Sequence, residues 1–134
     1  MFAQFLSSCG SCCKYPKDLT VEIGSGGGAT GMWTGYSLGE KGRVTSWCGK
    51  TQGANPVEYK EISKRKIQSI WNRINEAKVS ELKLQEPGNM SKYLKLFADG
   101  KQNILLWDYS RHDSTTEDLN VLFKYIYSKL EKKD

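Results

Sequence analysis

The sequence is poor in the residues that most often announce chemistry. It holds one histidine, His112, and three prolines in 134 residues. No run approaches the ~18 apolar residues that a helix needs to span a bilayer, so a transmembrane helix is excluded. Nor is there a basic block: the net charge of +5 comes from lysines spread along the chain. That is the pattern of a solvated surface, and no nucleic-acid partner is expected. Of four cysteines, Cys9, Cys12 and Cys13 cluster near the start and Cys48 stands alone. Only Cys48 and His112 are left to complete a metal site with that cluster, and a closed zinc site draws a second ligand pair from elsewhere. No metal or cofactor is expected. A disulfide from Cys48 to Cys12 or Cys13 suits an oxidising compartment, whereas pairing adjacent Cys12 and Cys13 would be strained.

What the chain does contain is enough for one core. The hydrophobic fraction of 38% and charged fraction of 26% are globular values, and four Trp, seven Tyr and four Phe supply large apolar surfaces. One folded domain over residues 18–134 is expected, preceded by a leader and tether at 1–17.

Within that domain Leu19, Val21 and Ile23 alternate with polar residues, the period of a strand with one buried face. Met32 to Leu38 and Arg43 to Cys48 continue an antiparallel meander around Gly39-Glu40-Lys41-Gly42. Gly49 to Pro56 is an exposed loop, and Val57 with Tyr59 adds a short edge strand. Ser63 caps a helix whose stripe is Ile67, Ile70, Trp71, Ile74 and Ala77. Its first turn carries Lys64, Arg65 and Lys66 against the helix dipole, a pattern of either an anion site or three solvated side chains. A connector with Leu82 and Leu84 leads through Pro87-Gly88-Asn89 to a hairpin. A three-residue Asp99-Gly100-Lys101 loop is expected there, because a two-residue turn would set Leu96 opposite polar Asn103. With the longer loop, Leu94 and Leu96 share a face with Ile104 and Leu106, leaving Tyr93, Lys95, Phe97, Leu105 and Trp107 on the other. Ser114-Thr115-Thr116-Glu117 reads as a capping box, opening a helix striped by Leu119, Leu122, Phe123, Ile126 and Leu130. The order βββ-α-ββ-α implies a two-layer α+β domain, with two helices on one face of an antiparallel sheet of about five strands.

The stretch that organises the chain is Gly24-Ser25-Gly26-Gly27-Gly28-Ala29-Thr30-Gly31, with five glycines in eight residues. Glycine permits a tight reversal, a bulge or the close approach of another backbone. A dinucleotide fingerprint would have to open a helix, and a strand follows instead; a phosphate loop would need a lysine that is absent. Ser110, His112 and Asp113 supply the groups of a hydrolytic triad, but they crowd into four consecutive residues, where triads gather members from separate elements. Asp108 and Asp113 as paired carboxylates imply no groove. An enzyme is not expected.

Leu6-Ser7-Ser8-Cys9 resembles the lipobox of bacterial lipoproteins, in which the cysteine is acylated. Only eight residues precede Cys9, short of a basic n-region and apolar stretch, so a natural start further upstream is expected. Ser25-Gly26-Gly27-Gly28-Ala29-Thr30-Gly31, the Thr/Tyr strand after it, Pro87-Gly88-Asn89 and Trp107 at a strand end are similar to a group of small bacterial lipoproteins. That resemblance implies a membrane-anchored, non-catalytic interaction domain in the periplasm or on the cell surface, attached through Cys9. The same loop and element order resemble emfourin-type inhibitors of thermolysin-like metalloproteases, with one extra residue here before Gly31. This second resemblance implies that Ser25, Gly26, Gly27, Gly28, Ala29, Thr30 and Gly31 are presented to a protease cleft.

Overall fold

Alternation along the chain becomes a single twisted sheet in the computed structural model, which describes residues 14–131. The strands are β1 (Thr20–Gly27), β2 (Met32–Leu38), β3 (Arg43–Gly49), β4 (Val57–Glu61), β5 (Gln85–Glu86), β6 (Met90–Ala98) and β7 (Lys101–Asp108). Two helices, α1 (Lys64–Glu76) and α2 (Ser114–Glu131), complete the α+β domain. The spatial order is β4-β3-β2-β1-β6-β7-β5. The expected sheet of about five antiparallel strands is thus a mixed sheet of seven: β4 forms in full, and two-residue β5 runs parallel to β7. The connector carrying Leu84 supplies that added edge, since the Leu106 N–H donates to the Leu84 carbonyl.

One face holds the main core. Val21, Ile23, Leu38, Val44, Leu94, Leu96, Leu105 and Trp107 meet Ile67, Ile70 and Ile74 of α1 and Leu119, Leu122, Phe123, Ile126 and Leu130 of α2. Ile70 is 0% and Phe123 7% exposed, so both helical stripes face inward as their spacing requires. Burying each such side chain stabilises the fold by about 1.5–3 kcal/mol before entropy is subtracted. Trp107 closes the layer edge-on to Phe123, with ring centres 6.1 Å apart.

The hairpin register corrects the expectation. Ala98 pairs with Lys101 around a two-residue Asp99-Gly100 turn, which sets Leu94 opposite Leu105 and Leu96 opposite Asn103. Both turn residues have positive φ, 53° and 75°, as a type I′ turn requires. Asn103 is tolerated on the helix side because its amide donates to the Val79 and Leu82 carbonyls at 2.7 and 2.9 Å. Asp18 reinforces the turn by accepting from the Asp99 and Gly100 N–H groups, both at 2.9 Å. The capping box of α2 also moves by one residue. Asp113 accepts from the Thr116 N–H at 2.9 Å, and Thr116 Oγ1 accepts from the Asp113 N–H at 3.1 Å.

Candidate binding site at the glycine turn

Most of the glycine run belongs to the sheet. Ser25, Gly26 and Gly27 pair with Thr34, Trp33 and Met32 of β2 on one side and with Lys92, Ser91 and Met90 of β6 on the other. Only Gly28-Ala29-Thr30-Gly31 forms the turn, so the expected eight-residue loop is half its length. A central strand paired on both edges has no backbone edge to lend a partner. The turn itself is held. The Gly28 N–H donates to the Asn89 carbonyl at 2.6 Å, the Gly31 N–H to Gly28, and Lys50 Nζ to the Thr30 carbonyl at 2.9 Å. Gly28 and Gly31 have φ of 71° and 66°, the left-handed region that other residues enter at a cost.

The strand glycines serve a second purpose. Trp47 lies flat across β2 and β1, where a β-carbon on Gly24 would meet its Cη2 at 2.5 Å and one on Gly35 its Cζ2 at 2.6 Å. Trp33 covers Gly26 in the same way, at 2.6 Å. Both indoles meet Tyr93 edge-on, at 6.3 and 6.4 Å. Beside them Glu22 accepts from the Tyr93 hydroxyl at 3.1 Å and the Ser37 hydroxyl at 3.5 Å, and Lys95 Nζ lies 3.8 Å away. Burial, then the charge of Glu22 and their hydrogen bond, raises the Tyr93 pKa well above the ordinary tyrosine value. The loop after β3 folds over this face: Gly53 rests on the Glu22 carboxylate and Ala54 on Gly49, and the Cys48 N–H donates to the Ala54 carbonyl at 3.0 Å. Trp47 is left 2% exposed beneath it. The side of the sheet without helices is therefore a small aromatic core, and the stretch expected as an exposed loop is its cover.

On the helix side, the end of the sheet nearest the glycine turn stays open. Trp107, Lys92, Ser25, Thr34 and Cys48 form one cross-strand row, and Met90, Gly27 and Met32 the next. α2 meets this region at Lys92. There Asn120 Oδ1 accepts from both Trp107 Nε1 and Lys92 Nζ at 3.0 Å. The ammonium lies 4.9 Å from the centre of the Tyr109 ring and 5.1 Å from that of Phe123. Burial, and then the charge of Lys124, pushes the Lys92 pKa down. No carboxylate pairs with Lys92, Lys124 or Lys50 among the described residues. Met32 and Met90 are each 40% exposed and Tyr109 is 47%, while Thr34 and Cys48 are exposed beside them. Sequence reasoning missed Lys92. Its signal was parity: in β6 it shares a face with Leu94 and Leu96, so a cation stands at the end of an apolar row.

The other sequence candidates do not assemble. Ser110 is bound to Asp108 through both N–H and hydroxyl at 2.8 Å, and that backbone bond holds the Asp108 pKa down. Asp113 accepts from Thr116 and Arg111, whose hydrogen bonds lower its pKa in that order. Arg111 also reaches Glu86. His112 is exposed and bonded to neither Ser110 nor Asp113 among the described residues. Ser63 caps α1 by accepting from the Lys66 N–H at 3.2 Å, and Lys64 and Arg65 are exposed. The described residues hold no cluster of three metal-ligating side chains. Cys9, Cys12 and Cys13 lie outside the described residues, and Cys48 forms no disulfide within them. A cleft of about 390 Å³ lies between α1 and the Asp99-Gly100 turn, but Asn103 in its lining already spends its amide donor on Val79 and Leu82.

No protein-family model and no curated protein sequence matches the chain.

Proposed function

We propose that this chain is a non-catalytic interaction domain, lipid-anchored through Cys9 in the periplasm or on the outer surface of a bacterial cell, which binds a protein at the open corner beside the glycine turn. The observation that carries the binding role is the cluster of Met32, Met90 and Tyr109, 40–47% exposed, around a turn tied down at Gly28 and Thr30. Large apolar side chains grouped at a rigid rim mark an interaction surface far better than the same residues scattered singly. Methionines suit it, because their unbranched thioethers adapt to a partner. The anchor rests on the lipobox-like Leu6-Ser7-Ser8-Cys9. It predicts diacyl or triacyl mass on Cys9 in protein expressed from its full reading frame, lost in Cys9→Ser. For the interaction, a photo-crosslinking residue is placed in turn at Thr30, Met32, Lys64 and Val121 in that anchored protein. A discrete adduct from Thr30 or Met32 supports the corner, an adduct only from Lys64 or Val121 moves the interface elsewhere, and no adduct from any site counts against an interaction domain.

Inhibition of a thermolysin-like metalloprotease through Ser25–Gly31 is a second reading. It is favoured by the restraint of the turn, since a segment fixed before binding loses less entropy in a cleft. Because Ser25 to Gly27 are paired on both edges, the inserted part would be Gly28 to Gly31. Excess purified protein added to such a protease slows peptide cleavage if this holds, and an unchanged rate rejects it.

A further inference from the structure

We propose that the open corner recognises an acidic, apolar peptide segment of its partner, with a carboxylate seated at Lys92 and the neighbouring apolar side chain on Met32, Met90 and Tyr109. This rests on reading the domain as an interaction module, and adds the chemistry of what it binds. Lys92 does not behave as an ordinary surface lysine. Its ammonium is fixed by Asn120 Oδ1 and lies over the Tyr109 and Phe123 rings, so little side-chain entropy remains to be lost when an anion arrives. An ammonium carries three donors, and Asn120 is the one hydrogen-bond acceptor it meets among the described residues.

The surroundings agree on the sign and kind of ligand. Ser25 is the direct cross-strand neighbour of Lys92 and Thr34 the next residue in that row, which brings two hydroxyl donors to the same edge. Lys124 on α2 is near enough to depress the Lys92 pKa, and Lys50 is tied to the tip of the turn. Three cations without carboxylate partners among the described residues, beside exposed methionines, complement an anion that carries apolar neighbours. Charged hydrogen bonds in a partly dry setting are the stronger kind. An acidic side chain between apolar ones on an extended or helical peptide meets both demands, whereas a free inorganic anion would leave the methionines in water.

The test uses the full chain labelled with ¹⁵N and a capped peptide of alternating leucine and glutamate, beside its leucine-glutamine counterpart and phosphatidylglycerol vesicles. Amide shifts confined to Ser25, Met32, Met90 and Lys92, with binding about tenfold weaker in Lys92→Gln, support the proposal. Lys124→Gln, on an exposed helix position, gives the same direction without disturbing the core, while Lys64→Gln leaves binding unchanged. Equal binding of the glutamine peptide, shifts centred on Lys64 to Lys66, or binding of the vesicles but not the peptide each overturns it. If the crosslinking above yields an adduct at the corner while the acidic peptide fails, the interaction reading survives and only the ligand chemistry falls.

Discussion

On the helix side of the sheet, aliphatic rows of Val21, Ile23, Leu94, Leu96 and Leu105 are sealed by two helices. On the opposite side, Trp33, Trp47 and Tyr93 lie over Gly24, Gly26 and Gly35, and the cover is the loop carrying Gly53 and Ala54. The first arrangement fills space with many interchangeable methyl groups. The second fills it with a few rings that need bare backbone beneath them. The first is therefore robust to conservative exchange and the second is not, because a flat indole tolerates no β-carbon under it. The largest effect should come from Trp47→Ala. It is expected to cost about 3–5 kcal/mol, as much as an aliphatic truncation such as Ile70→Ala on the better-covered side. Urea unfolding of both variants compares the faces directly, and a loss below about 1 kcal/mol for Trp47→Ala would demote the aromatic layer to surface decoration.

Gly24→Ala sharpens the same comparison. The added carbon meets Trp47 Cη2 at 2.5 Å and also the Thr34 backbone carbonyl, so ring and strand must both shift. A loss of about 1–3 kcal/mol is expected from overpacking. Replacing Trp47 by Leu should shrink that loss, because neighbours in contact do not act additively. If the two changes add within experimental error, the glycine is not there for the ring.

Much of this architecture was legible. Period-two alternation located β1 and β2, the Gly39 to Gly42 turn placed β3 after them, Val57 with Tyr59 marked the edge strand β4, and the stripes from Ile67 and from Leu119 located both helices with the correct faces inward. What was misread depended on partners distant in sequence. Asn103 counted against a two-residue turn because a polar residue among leucines looks like an error. The Val79 and Leu82 carbonyls that satisfy it lie more than twenty residues away, where local pattern cannot see them. The glycine run looked like one loop for a similar reason, since its first half is strand through pairing with β2 and with β6, and β6 lies more than sixty residues away. Two-residue β5 has no period to detect. Lys92 was legible by parity alone, but its lack of a carboxylate partner among the described residues was not.

Gly31→Ala separates the two uses of glycine. Nothing lies within 4 Å of a β-carbon there, yet φ is +66°, so the penalty is purely conformational and about 1 kcal/mol. It should fall below that of Gly24→Ala in the same unfolding assay, and the reverse order would mean that the turn, not the aromatic layer, constrains this stretch.

Tyrosine ionisation probes both faces at once, and its effect is confined to alkaline pH, leaving stability at neutral pH untouched. On the helix side Tyr36 packs between Tyr59 and Tyr127, at 5.1 and 5.2 Å, and burial followed by the influence of Tyr59 pushes its pKa to about 12 from an ordinary 10.0. On the other side the Tyr93 hydroxyl is committed to Glu22, and its pKa is raised as well. In the unfolded chain both phenols lose their protons near pH 10, while in the folded chain they keep them to higher pH. The unfolded state therefore binds fewer protons above pH 10, and stability must fall as pH rises through that range. Urea midpoints from about pH 9 to about pH 12 should drop, and Tyr36→Phe should flatten the slope because phenylalanine has no proton to lose. Tyr93→Phe should flatten it too while lowering stability at neutral pH, where Glu22 loses the Tyr93 hydroxyl and keeps Ser37 and Lys95. A wild-type curve with no alkaline slope would mean that both hydroxyls reach water, and the aromatic layer beneath the Gly53 loop would then be open, not closed.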